Sequence, residues 1–236
     1  MKAVSKFPRA ARGLLKFGIT VFTIILCSCS NLTYHEDELE YIKNIKPKTG
    51  KPLIIAFGDS LTSGFTLDKN VSYPHLLEAR LNKMDCPYEV LNFGFNGDTS
   101  GKAVSRLGYA LNFDNIGIFV LELGANDVML KKAEIEEIKA NLRGIINRVK
   151  RKNIKILLCG FETPPHSNKE YSDAIRKMYL DLATENDVPL LPSFMSGAPD
   201  NAKFMLPDNI HPNEEGVKII ERNVFEKIEP LLQCGK

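Results

Sequence analysis

The chain has 236 residues, 44% of them hydrophobic, with 31 lysines and arginines against 29 acidic residues. That suffices for one domain with a full core, and no repeat or low-complexity tract points to a second. Five of the bases (Lys2, Lys6, Arg9, Arg12 and Lys16) fall in residues 1–28, which hold no acid. The rest carries 26 bases against 29 acids, a formal net charge of −3, so no nucleic-acid surface is expected.

Taken in chain order, the basic start leads into an apolar run from Phe17 to Leu26, too short to span a bilayer. This pattern predicts a secretory signal over 1–28, with an uncleaved anchor helix as the alternative. Leu26-Cys27-Ser28-Cys29-Ser30 resembles a bacterial lipobox, which implies an exported, periplasmic protein tethered to the membrane by lipid on Cys29. Ser30 stands where an aspartate would retain such a protein in the inner membrane, so the outer membrane is expected. Residues 29–51 are polar, with Pro47 and Gly50, and read as a tether. Residues 52–236 then form the domain. Cys86, Cys159 and Cys234 are too few and scattered for a disulfide framework or zinc site. Cys159 sits in an apolar run, and Cys86 and Cys234 could pair.

Within the domain, short apolar runs alternate with longer amphipathic ones. Residues 52–57, 88–93, 116–123, 155–161 and 189–191 read as strands. They are rich in Ile, Leu, Val and Phe without strict alternation, as in parallel strands covered on both faces. Residues 73–83, 99–111, 133–152, 169–186 and 213–232 read as helices. In 133–152 the side chains of Ile135, Ile138, Leu142, Ile145, Ile146 and Val149 form one face. The alternation predicts a three-layer α/β/α sandwich on a five-stranded parallel sheet, flavodoxin-like, with ligands bound beyond the carboxyl ends of the strands.

Four short pieces sit at such ends: Gly58-Asp59-Ser60-Leu61, Gly97, Gly124-Ala125-Asn126-Asp127 and Asp208-Asn209-Ile210-His211-Pro212. Alone, Ser60 reads as a turn or helix-cap serine, Asn126 as an Asx turn and Gly97 as a turn. Together they supply what acyl transfer through a covalent intermediate needs. Ser60 is the nucleophile and His211 the general base, oriented by Asp208 three residues before it. The backbone N–H groups of Ser60 and Gly97 and the amide of Asn126 form an oxyanion hole. Of the four histidines only His211 stands beside an acid at a strand end. Asp59 and Asp127 are expected to be scaffolding. No G-x-S-x-G elbow is present, which argues against an ordinary α/β-hydrolase.

These residues resemble the SGNH, or GDSL, hydrolase family, over essentially Pro52 to Leu232. Tyr73-Pro74, Asn92, Gly97-Asp98-Thr99-Ser100, Leu121-Glu122-Leu123-Gly124 and Val188-Pro189-Leu190-Leu191-Pro192 are similar to its bacterial thioesterase I/lysophospholipase/arylesterase branch. The resemblance implies an enzyme acting as a monomer, without metal or cofactor, on acyl thioesters, aryl and short-to-medium acyl esters and lysophospholipids. The chain departs from that branch at 128–132, where Val-Met-Leu-Lys-Lys replaces a glycine-containing loop, and at 161–166.

Met129, Leu130, Phe161 and Phe194 are the expected lining of an acyl groove, with Met195 and Phe204 nearby. Membrane-derived lysolipids would suit a tethered enzyme. Two other readings stay open. A carbohydrate O-acetylesterase would use the same residues. A flavodoxin-like binding module would use Ser60, Thr62 and Ser63 as a phosphate cradle, although no Walker A or G-x-G-x-x-G spacing is present.

Overall fold

The computed structural model describes residues 36–130, 133–164, 166–199 and 201–234. The chain divides into two units, Met1–Asn31 and Leu32–Lys236. The signal segment, the lipobox and Cys29 lie outside the described residues.

In order the elements are α1 (Glu36–Asn44), β1 (Leu53–Gly58), α2 (Ser60–Ser63), α3 (Tyr73–Lys83), β2 (Glu89–Gly94), α4 (Ser100–Ala110) and β3 (Ile116–Glu122). There follow α5 (Ala125–Met129), α6 (Ile135–Lys150), β4 (Lys155–Cys159), α7 (Lys169–Asn186), β5 (Leu190–Leu191) and α8 (Glu214–Ile228). The five strands form one parallel sheet in the order β2-β1-β3-β4-β5. All six residues of the central β1 are buried. Leu53, Ile55 and Phe57 enter the core on one face, with α4, α6 and α7. Ile54 and Ala56 enter the core on the other, with α3 and α8. A strand buried on both faces has no reason to alternate in polarity, so its run is continuously apolar.

Helix ends follow local chemistry. Asn213 caps α8, its Oδ1 accepting from Glu215 N and Gly216 N, while its Nδ2 donates to the carbonyls of Lys203 and Met205. Thr99 Oγ1 caps α4 by accepting from Lys102 N. β5 has only two residues, because Pro189 and Pro192 bracket it and neither can donate to a ladder.

The expected tether over 29–51 is corrected in its second half. Residues 36–44 form α1, and Ile42 is 1% exposed, packed into the core with Phe93, Leu107 and Leu111. Behind it the backbone N–H groups of Lys48 and Thr49 and the Thr49 hydroxyl all donate to the buried Glu89 carboxylate. Those bonds hold Glu89 below its ordinary value, against the desolvation that burial imposes. One anchoring isoleucine in a charged helix leaves no apolar period to read. Cys86 and Cys234 form a disulfide, which joins the α3–β2 loop to the chain end, and Cys159 is a buried free thiol.

Candidate active site

β1 delivers Ser60 to the carboxyl edge of the sheet, where it opens the single turn α2 and is 9% exposed. Asp59 caps that turn, its Oδ1 accepting from Leu61 N at 3.0 Å. Gly58 precedes it at the end of β1. The space around it is filled from inside: a Cβ there would lie 2.1 Å from Thr62 Oγ1 and 2.5 Å from Glu122 Oε2.

The loop before α8 brings His211 to the serine, with Nε2 3.0 Å from Ser60 Oγ. Asp208 Oδ2 lies 2.7 Å from His211 Nδ1, and its Oδ1 accepts from the N–H groups of Ile210 and His211. Burial works against its charge, but these bonds prevail and hold the carboxyl down to about 2. An ionised carboxylate can only accept, so Nδ1 carries the hydrogen and Nε2 keeps its lone pair toward Ser60. Leu206 N donates to His211 O, closing the loop, with Asn209 at φ 54° taking the left-handed position. The Phe65 ring stacks on the imidazole at 4.1 Å. That contact was not foreseen, since Phe65 is a lone aromatic in a Gly-Phe-Thr turn.

Gly97 follows β2 with φ +74°, a conformation that favours glycine, although open space surrounds its Cα. Among the described residues the backbone N–H groups of Ser60 and Gly97 have no hydrogen-bond acceptor. Asn126, in α5, was expected to aim its amide at the oxyanion site. Its Nδ2 instead donates to Asp98 O at 2.9 Å and Asp59 Oδ2 at 3.1 Å, so the amide is held in place from both sides. Asp127 is structural: its carboxylate accepts from Ser100 N and Ser100 Oγ.

Of the four expected groove residues, Phe161 and Phe194 line one cavity together, and Met129 and Leu130 lie apart from it. Met129 and Leu130 are 39% and 53% exposed and line neither cavity near the carboxyl edge. Phe194 is only 2% exposed and belongs to the core, its ring edge-on to Tyr73 at 5.4 Å. Phe161 borders a cavity of about 420 Å³ whose other walls include Glu162, Thr163, Lys169, Asp173 and Arg176, and with Phe194, Met195 and Leu61 it lines a second, smaller one. The expectation of an apolar groove from sequence alone did not include this polar wall. No group of three or more metal-ligating side chains occurs among the described residues.

A doubly wound parallel sheet thus carries a serine, a histidine and an aspartate hydrogen-bonded in series at its carboxyl edge. The chain is a member of the GDSL-like Lipase/Acylhydrolase family, whose model matches residues 56–219. It is 31% identical over 179 residues to the thioesterase 1/protease 1/lysophospholipase L1 of Escherichia coli K12, covering 76% of this chain and 84% of that one. With the esterase TesA of Pseudomonas aeruginosa the identity is 29% over 179 residues, covering 76% and 89%. A crystal structure of TesA superposes with a TM-score of 0.73 at 29% identity, over 76% of this chain and 99% of the other. The protein is therefore a carboxylic ester hydrolase, and the non-enzymatic binding module falls away.

Proposed function

We propose that the protein is a serine esterase working through an acyl-enzyme intermediate, with Ser60 as nucleophile, His211 as general base and Asp208 as its orienting acid. The observation that carries this reading is the unbroken chain Asp208–His211–Ser60, at 2.7 and 3.0 Å. His211 Nε2 takes the Ser60 proton as Oγ attacks the acyl carbonyl. The same proton then goes to the leaving oxygen or sulfur. Water, deprotonated by His211, hydrolyses the acyl-enzyme and returns the proton to Ser60. The oxyanion is received by the uncommitted N–H groups of Ser60 and Gly97, and by one Asn126 N–H that leaves Asp59. A fluorophosphonate probe should label the wild-type protein and not Ser60→Ala; an unlabelled wild type would sink the reading.

Acyl esters of the thioesterase, arylesterase and lysophospholipase kind are the substrates that the similar enzymes support, and the exposed Met129 and Leu130 offer apolar contact at the same edge. Lipid on Cys29 would hold the enzyme in the periplasm at the outer membrane. Tyr41 of α1 lies 6.1 Å from Phe95, beyond the carboxyl end of β2, whereas Lys48 and Thr49 reach Glu89 at its amino end. α1 therefore lies toward the active edge. The Cys86–Cys234 disulfide agrees with an oxidising compartment. Metabolic labelling with a fatty-acid probe should be lost in Cys29→Ala. The polar wall at Glu162, Lys169, Asp173 and Arg176 favours a second reading, removal of acetyl groups from a carbohydrate. Rates on acetylated polysaccharide compared with aryl esters of increasing chain length separate the two.

A further inference from the structure

His211 stands on a loop, and an imidazole turns easily about its last side-chain bond, for which the torsional wells are broad. Two hydrogen bonds fix the edge of the ring, from Nδ1 to Asp208 Oδ2 and between Nε2 and Ser60 Oγ. A third contact is made by its face. The Phe65 ring stacks there, with centroids 4.1 Å apart and planes 29° from parallel.

The nucleophile turn itself carries Phe65 to the histidine. α2 starts at Ser60 and lasts four residues, and Gly64 ends it in the left-handed conformation at φ 83°. The Ser60 carbonyl then accepts from Gly64 N and from Phe65 N, the latter at 3.2 Å. Phe65 is therefore tied by its backbone to the nucleophile and by its ring to the base, two residues that are distant in sequence. The phenyl ring is half-buried and the His211 side chain is 15% exposed, so water screens the contact only in part.

We propose that Phe65 is a positioning residue for the general base, its ring face stabilising the His211 imidazolium that exists only while the serine proton is in transit. The inference rests on the serine-esterase reading above. With its lone pair toward Ser60 the imidazole is neutral; once Nε2 holds the serine proton, the ring is a cation between Asp208 and Phe65. An aromatic face is the negative part of the ring quadrupole. It attracts a cation within about 6 Å of its centroid and offers a neutral ring little beyond dispersion. The contact is therefore stronger in the transition state than in the ground state, which is the condition for raising kcat rather than tightening binding alone. The same gain recurs in deacylation, when His211 takes a proton from water.

The test compares Phe65→Leu, which keeps apolar bulk without a ring, with Phe65→Tyr, which keeps the ring, in the full chain on a soluble p-nitrophenyl ester. We expect kcat and kcat/KM of Phe65→Leu to fall together by about three- to thirtyfold, with KM within about twofold of the wild type. Phe65→Tyr should keep kcat within about twofold. Phenylalanines carrying increasing numbers of fluorine atoms, placed at position 65 alone, draw charge off the ring face at nearly constant shape. Across that series kcat should fall stepwise while the melting temperature stays put. A wild-type kcat in Phe65→Leu, an equal fall in Phe65→Tyr, or a flat fluorinated series overturns the proposal. Should Phe65→Leu not fold, the fluorinated series decides alone. An active, probe-labelled wild type with any of these negative results sinks this inference alone, whereas an inactive and unlabelled wild type sinks the esterase reading and this inference with it.

Discussion

Ser60, His211 and Asp208 come from two ends of the chain, 151 residues apart for the Ser60–His211 contact. Replacing Ser60 or His211 by alanine should abolish ester hydrolysis with an unchanged circular dichroism spectrum, because neither side chain is part of the core. Asn126→Ala should lower kcat by about 10²–10³, by analogy with the loss of one oxyanion donor elsewhere. An unchanged kcat would remove Asn126 from the oxyanion hole. Asp208, held down to about 2 from an ordinary 3.8, stays ionised through the whole working range. Its lowered value means that the charged form favours the folded state above pH 3.8, and that this contribution fades as the pH falls toward 2. Asp208→Asn should therefore lower kcat by roughly 10²–10⁴ at every pH. That Ser60, His211 and Asp208 would meet was readable in the sequence, because a serine, a histidine and an aspartate at strand ends suit one chemistry. Phe65 stacked on His211, and the bond from Asp59 N to Glu122 Oε2, were not, because nothing local distinguishes such residues from ordinary turn or strand positions.

At the scale of the elements, α1 is the clearest gain over the sequence. Ile42→Ala should destabilise the domain by about 2–5 kcal/mol in denaturant unfolding, the usual cost of emptying a buried isoleucine site. A change near zero would return residues 36–44 to the role of a tether. The strands and the long amphipathic helices were legible, since period and composition report burial directly. α6 runs Ile135–Lys150 where 133–152 was expected, and its inward face is the one read from the sequence. The apolar groove was legible only in part: Phe194, expected to line it, packs edge-on to Tyr73 and borders a small cavity with Phe161. Whether a loop phenylalanine faces substrate or core depends on α3, which is distant in sequence.

For the whole molecule, the Cys86–Cys234 link spans 148 residues and closes the chain end onto the sheet. Removing it by Cys234→Ser should cost about 2–5 kcal/mol in reversible unfolding while leaving hydrolysis intact at low temperature. Loss of activity without loss of stability would contradict a purely structural bond. The sequence by itself determined the parallel α/β/α sandwich and the reagents at its carboxyl edge, because burial on both strand faces and acyl-transfer chemistry each restrict the residues allowed. Only the tertiary structure decided what surrounds those reagents: the docking of α1, the polar wall beside Phe161 and the grip on Asn126. These depend on which distant groups meet and how much water is excluded between them, and no stretch of sequence encodes that alone.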